Sequence, residues 1–137
     1  MATIKEDYVS FETAKLLKDK GFDEPCLMCY TSDKKLEHYG HYNSYKNSEV
    51  FAMTAPTLQM AMKWLREDKK ILISIFCHID KGYWFCIQLF INSPYKFATS
   101  ESIHRKEEIL GKIQYYDTYE QACEAAIKYC LENLIQK

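Results

Sequence analysis

The chain has 137 residues, 47% hydrophobic and 27% charged, with 18 basic and 19 acidic side chains and a formal net charge of −1. That length suits one domain, residues 1–137, with a real core, and the balanced charge argues against a basic nucleic-acid or membrane surface. Only 4 Gly and 3 Pro argue against a loop-dominated or disordered chain.

The first seven residues are polar, with Lys5, Glu6 and Asp7, and lack the apolar segment of a signal peptide. The expectation is a cytoplasmic protein, in which an even count of six cysteines does not imply disulfides. Ser10 then reads as an N-cap, with Glu12 in the first turn of a helix over residues 11–20. Ala14 and Leu17 face inward, widened by Leu16. Gly21 can take the left-handed position that ends the helix, and Phe22 then folds back onto Leu17 in a Schellman motif.

Residues 23–25 form a turn, and the apolar run 26–31 suits a buried strand. A polar turn at 32–35 leads to a second strand within 36–45. Loop signals follow at Asn43-Ser44 and Asn47-Ser48. The second helix starts at residues 54–57, with Pro56 tolerated in its first turn. Leu58, Ala61, Met62 and Leu65 form one stripe, and Met60 and Trp64 a second. Arg66, Lys69 and Lys70 complement the C-terminal end.

Residues 71–91 read as a β-hairpin around Asp80-Lys81-Gly82. A three-residue loop pairs odd positions with odd positions and Ile79 with Tyr83. One face then holds Ile71, Ile73, Ile75, Cys77, Ile79, Tyr83, Phe85, Ile87, Leu89 and Ile91, a core face for helices. The other holds Leu72, Ser74, Phe76, His78, Trp84, Cys86, Gln88 and Phe90, with aromatics among polar groups. This apolar run is interrupted by Ser74 and His78, and no run in the chain reaches the ~18–20 residues that span a bilayer. A short helix is expected within 100–110 and a short strand within 112–116.

The last helix has the clearest pattern. Tyr119, Ala122, Cys123, Ala126, Ile127, Cys130, Leu131 and Leu134 make one stripe. Thr118 and Gln121 form a capping box. Glu120, Glu124, Lys128 and Glu132 lie on the opposite face, with Glu124 and Lys128 in the favourable i,i+4 order.

Cys26-Leu27-Met28-Cys29 is the one Cys-x-x-Cys, and no second pair follows to complete a structural zinc site. In a strand its two thiols point to opposite faces. His38-Tyr39-Gly40-His41 matches no established metal spacing, even with His78 or His104. Cys77 and His78 are adjacent in a strand and face apart, so Cys86 is the better partner for His78 as a nucleophile pair. Nothing in the sequence supplies an oxyanion hole or an orienting carboxylate. The four glycines are isolated, so no phosphate-binding loop is present. No metal and no cofactor are expected.

Tyr8-Val9-Ser10-Phe11-Glu12-Thr13-Ala14-Lys15-Leu16-Leu17 with Gly21-Phe22, the stretch from Ala55-Pro56-Thr57 to Lys63-Trp64-Leu65-Arg66-Glu67, and Thr118-Tyr119-Glu120-Gln121-Ala122-Cys123-Glu124-Ala125-Ala126-Ile127 together resemble a group of small uncharacterised proteins from gut anaerobes and their phages and mobile elements. The resemblance implies an accessory gene and brings no activity to any residue.

The expected fold is α+β, three helices packed on one face of a small, largely antiparallel sheet. The expected role is a non-enzymatic accessory protein that binds another protein or itself through the mixed face, with Phe76, His78, Trp84, Gln88 and Phe90 as interface residues. A homo-oligomer or a protein partner is expected, and neither nucleic acid nor membrane. The alternative is a small-ligand binder or inhibitor using Tyr39, Tyr42 and Tyr45. An enzyme built on Cys86 and His78 is the third reading.

Overall fold

A computed structural model describes residues 4–38, 44–49, 53–90, 97–98 and 114–135. Helix α1 spans Phe11–Asp19, and the Ser10 hydroxyl accepts the Thr13 N–H at 3.2 Å. The Phe22 N–H donates to the Leu17 carbonyl at 2.8 Å, and the Gly21 N–H to Lys18 at 3.2 Å. These are the paired bonds of a Schellman motif, with Gly21 at φ +97°. Phe22 and Leu17 lie in the same buried cluster, as the sequence pattern requires.

Helix α2 spans Leu58–Asp68 and is capped by Thr57, whose hydroxyl accepts the Met60 N–H at 3.1 Å. Pro56 therefore precedes the cap instead of lying in the first turn. A threonine hydroxyl can satisfy an unpaired N–H of the first turn, so the helix begins behind it. The Pro56 carbonyl accepts the Val9 N–H at 3.1 Å and ties the N-terminal segment down. Leu58, Ala61, Trp64 and Leu65 are buried, while Met60 of the expected second stripe is exposed. Phe22 meets the Trp64 ring edge-on at 5.3 Å.

Helix α3, Tyr119–Asn133, carries the capping box, with the Gln121 N–H donating to the Thr118 hydroxyl at 3.0 Å. Ala122, Cys123, Ala126, Ile127, Cys130 and Leu131 are buried. The opposite face is tied to α1 instead of pairing along its own helix. Glu124 accepts the Ser10 N–H at 2.9 Å, and the Lys128 ammonium reaches Glu12 at 3.3 Å. The start of α1 offers a backbone N–H and a carboxylate beside α3, and these outcompete a solvated i,i+4 pair of small worth.

The class is α+β, and the strands divide into two antiparallel sheets. The smaller has the order β2-β1-β3, from Leu36–His38, Met28–Tyr30 and Met53–Thr54. The expected strand over 26–31 thus shortens to three residues, and Cys26 instead bridges Tyr45 through two backbone bonds of 2.8 Å. The larger has the order β4-β5-β6, from Ile71–His78, Gly82–Phe90 and Phe97–Ala98. Helices α2 and α3 pack on β4, α3 also on β5, and α1 on α3 and β3. The expected helix within 100–110 lies outside the described residues, as do 112 and 113. Tyr116 forms an antiparallel bridge to Tyr83. Among the described residues no helix is long and apolar enough to cross a membrane.

The hairpin keeps the expected parity and shifts its loop by one residue. Ile73 faces Ile87, Ile75 faces Phe85, and Cys77 faces Tyr83. The loop is 79–81, and Gly82 pairs with His78 as the first residue of β5. Ile79 therefore leaves the expected core face and is 93% exposed at the tip. The cause is the chain beside Gly82. A side-chain carbon there would lie 2.4 Å from the Tyr116 carbonyl oxygen, so glycine is placed where that strand-like segment docks.

Candidate interaction face of the hairpin

The even positions of β4 and β5 form the face turned away from the helices. Phe76 and Trp84 are directly opposite in the ladder. Their rings stack with centroids 4.5 Å apart and planes 21° from parallel, the offset geometry aromatic pairs prefer. Phe76 is 45% exposed even with one ring face covered. Gln88 is exposed and opposite Leu72. Phe90 faces Phe97 in the backbone register, and its side chain lies outside the described residues.

His78 closes the tip of this face. Its Nδ1 accepts the Asp80 N–H at 3.2 Å. Its ring meets Tyr115 edge-on at 5.9 Å, and the Lys81 ammonium lies 5.6 Å from the centre of the Tyr115 ring. The Tyr83–Tyr116 bridge sets Tyr115 beside Trp84 and across the bare backbone of Gly82 from His78. Sequence reasoning missed Tyr115 as part of the face. The signal was a glycine inside a strand, which marks a close backbone approach.

The same register separates the proposed nucleophile pair. Cys86 is opposite Ser74 and His78 opposite Gly82. Their rows are four residue steps apart along the strand, about 13 Å, with the Phe76–Trp84 row in the gap. Tyr39 and Tyr42 lie outside the described residues. Tyr45 is half-buried and engaged with Cys26 through its backbone.

A second concavity lies between α1 and the smaller sheet. This groove of about 690 Å3 is lined by Phe11, Lys15, Cys29, Glu37, His38 and Met53 among others. Cys29 is buried there, and burial, with the Glu37 carboxylate opposite, raises its thiol pKa.

Three more cysteines are core residues. Burial pushes the thiol of Cys26 up to about 11, that of Cys123 to about 11 and that of Cys130 to about 12. Because burial favours the neutral thiol in the folded state, the stabilisation is complete below the ordinary thiol pKa of 9.0. It is lost as pH rises from there toward the folded values. The melting temperature is thus expected to fall steadily above about pH 9. Replacing Cys130 with alanine in the same alkaline series should flatten that decline. A melting temperature that holds level to pH 11, with the free thiols reacting fully with a chromogenic disulfide reagent after unfolding, would refute it.

Comparison with family models, with curated proteins and with solved structures finds no match. The functional reading rests on the hairpin and on the grooves of this chain alone.

Proposed function

We propose that this protein is a non-enzymatic accessory factor that works by binding a protein, either a different one or a second copy of itself, through the outer face of the β4–β5 hairpin. One observation carries the reading. A stacked Phe76–Trp84 pair stands in the middle of the face, with Phe76 exposed and no described helix packed over it. Large aromatics of this kind are the usual anchors of protein interfaces. His78, Tyr115 and Lys81 supply a polar rim at one end and Gln88 at the other. The separation of Cys86 from His78 speaks against the nucleophile reading.

The expected setting is the cytoplasm of a bacterium, as an accessory gene of the host, a phage or a mobile element. Trp84→Glu tests the face. It places a charge in the aromatic row without touching the Ile-rich core side. The expected result is an unchanged circular dichroism spectrum with loss of a captured partner in pull-down. Capture equal to that of the parent protein would remove the face from the mechanism.

A second reading, a small-ligand binder, is favoured by the groove between α1 and the smaller sheet. Its volume suits a metabolite, and its walls combine an apolar floor with Lys15, Glu37 and His38. Thermal-shift screening against metabolites and nucleotides addresses it.

A further inference from the structure

Among the described residues β4 is an edge strand. Its one strand partner among the described residues is β5, through eight consecutive pairs from Ile71 to His78. The far edge of β5 is occupied at both ends, by β6 at Leu89 and Phe90 and by Tyr116 at Tyr83. No described segment makes a backbone bond to the far edge of β4.

Open edges invite pairing, and proteins guard them with charge, proline, bulges or brevity. The smaller sheet shows this guarding: β2 is three residues long and carries Glu37. Strand β4 has eight residues with no Asp, Glu, Lys, Arg or Pro, and its ladder is unbroken by a bulge. An uncharged edge with the aromatic row alongside is suited to a strand that is itself uncharged.

We infer that the β4 edge pairs with the β4 edge of a second copy of this chain, antiparallel about a two-fold axis perpendicular to the sheet. This contact goes beyond the function proposed above: it runs along the sheet edge and leaves the outer face open for a different protein. Such an axis keeps the helices of both copies on one side, which requires odd positions to face odd positions. An axis through Ile75 meets that condition. It sets Phe76 of each copy opposite Ser74 of the other, a large ring over a small side chain. It also sets Ile73 opposite Cys77 and Leu72 opposite His78. The strand carries no Asp, Glu, Lys or Arg, so no such pair sets like charges against each other.

Seven paired residues cover about 23 Å of ladder. A strand pair of that length alone falls short of the roughly 1,200 Å2 that stable interfaces bury. The expected dimer is reversible, with a midpoint in the micromolar range.

The test is light scattering across a concentration series, with hydrogen exchange of the β4 amides measured in parallel, on three chains. The parent should show a rising mass and slowing β4 exchange as concentration rises. Ser74→Lys, which puts a guarding charge on the edge opposite Phe76, should raise the dimer midpoint by about tenfold or more. Trp84→Glu, one strand away from the edge, should raise it far less. Circular dichroism and a denaturant midpoint verify that each variant is folded. A monomer mass at every concentration, or β4 exchange that ignores concentration, overturns the inference. A dimer abolished by Trp84→Glu and untouched by Ser74→Lys also overturns it, and then the outer face, as first proposed, is the contact.

Discussion

Gly82→Ala is expected to destabilise the fold by about 3 kcal/mol or more, and a denaturant titration measures it directly. Two costs add. The backbone at Gly82 sits at φ +108°, a region that L side chains enter at a cost of about 1–2 kcal/mol. The new carbon would also lie 2.4 Å from the Tyr116 carbonyl oxygen, a backbone atom that cannot swing aside. Relief requires moving the segment whose Tyr116 N–H donates to Tyr83 at 2.7 Å and whose carbonyl accepts from Tyr83 at 2.8 Å. Gly21→Ala is the internal control. Gly21 has a similar φ of +97°, and a methyl group there would meet nothing within 4 Å, so it should cost only the same backbone strain, about 1–2 kcal/mol. Equal losses at the two glycines would mean that the Tyr116 segment is not held against the hairpin.

The consequence reaches the interaction face. Gly82 is the gap across which His78 and Tyr115 meet, and Tyr115 is the residue next to the bridged Tyr116. Loss of the Tyr83–Tyr116 bridge should therefore weaken binding through the hairpin even at temperatures where the variant stays folded. A single glycine links turn geometry, strand docking and the shape of the face.

All three helices in the described residues were legible because each carries an apolar stripe at helical spacing, and α1 and α3 also carry readable caps. Ser10 and Thr118 are side-chain caps, and Gly21 with Phe22 closes α1 through local bonds, whereas α2 was read from its apolar stripe and its Thr57 cap was not. The hairpin faces were legible because parity is all that a two-residue period needs. What escaped was set by partners distant in sequence. The loop moved by one residue because of Tyr116, which lies more than thirty positions away along the chain. Glu124 and Lys128 turned to α1 for the same reason: a helix surface cannot announce which neighbour will lie across it.

The candidate site was legible in part. The alternation along β4 and β5 placed Phe76, His78, Trp84 and Gln88 on one face, which the register bears out. Tyr115 was invisible, because an isolated bridge leaves no periodicity to read. The Cys86–His78 pairing was plausible from face alone and fails on distance along the strand. Sharing a face says nothing about separation, and the row between them is filled by two rings.

Ile127→Ala should cost about 2–4 kcal/mol, the usual range for emptying a packed site. Ile127 is fully buried on the helix that packs against β4, β5, α1 and α2, so no neighbour can collapse into the space without disturbing another contact. The opposite face of α3 provides two graded controls. Glu120 is exposed on the first turn, and Glu120→Ala should change stability by less than about 0.5 kcal/mol. Glu124 accepts the backbone N–H at the start of α1, so Glu124→Ala should cost about 0.5–1 kcal/mol, limited by the exposure of the bond. The expected order in denaturant melts is Ile127, then Glu124, then Glu120. Small and equal losses at Ile127 and Glu120 would refute the placement of α3 at the centre of the core. A loss at Glu124 no larger than that at Glu120 would refute the tie between the two helices while leaving the core assignment standing.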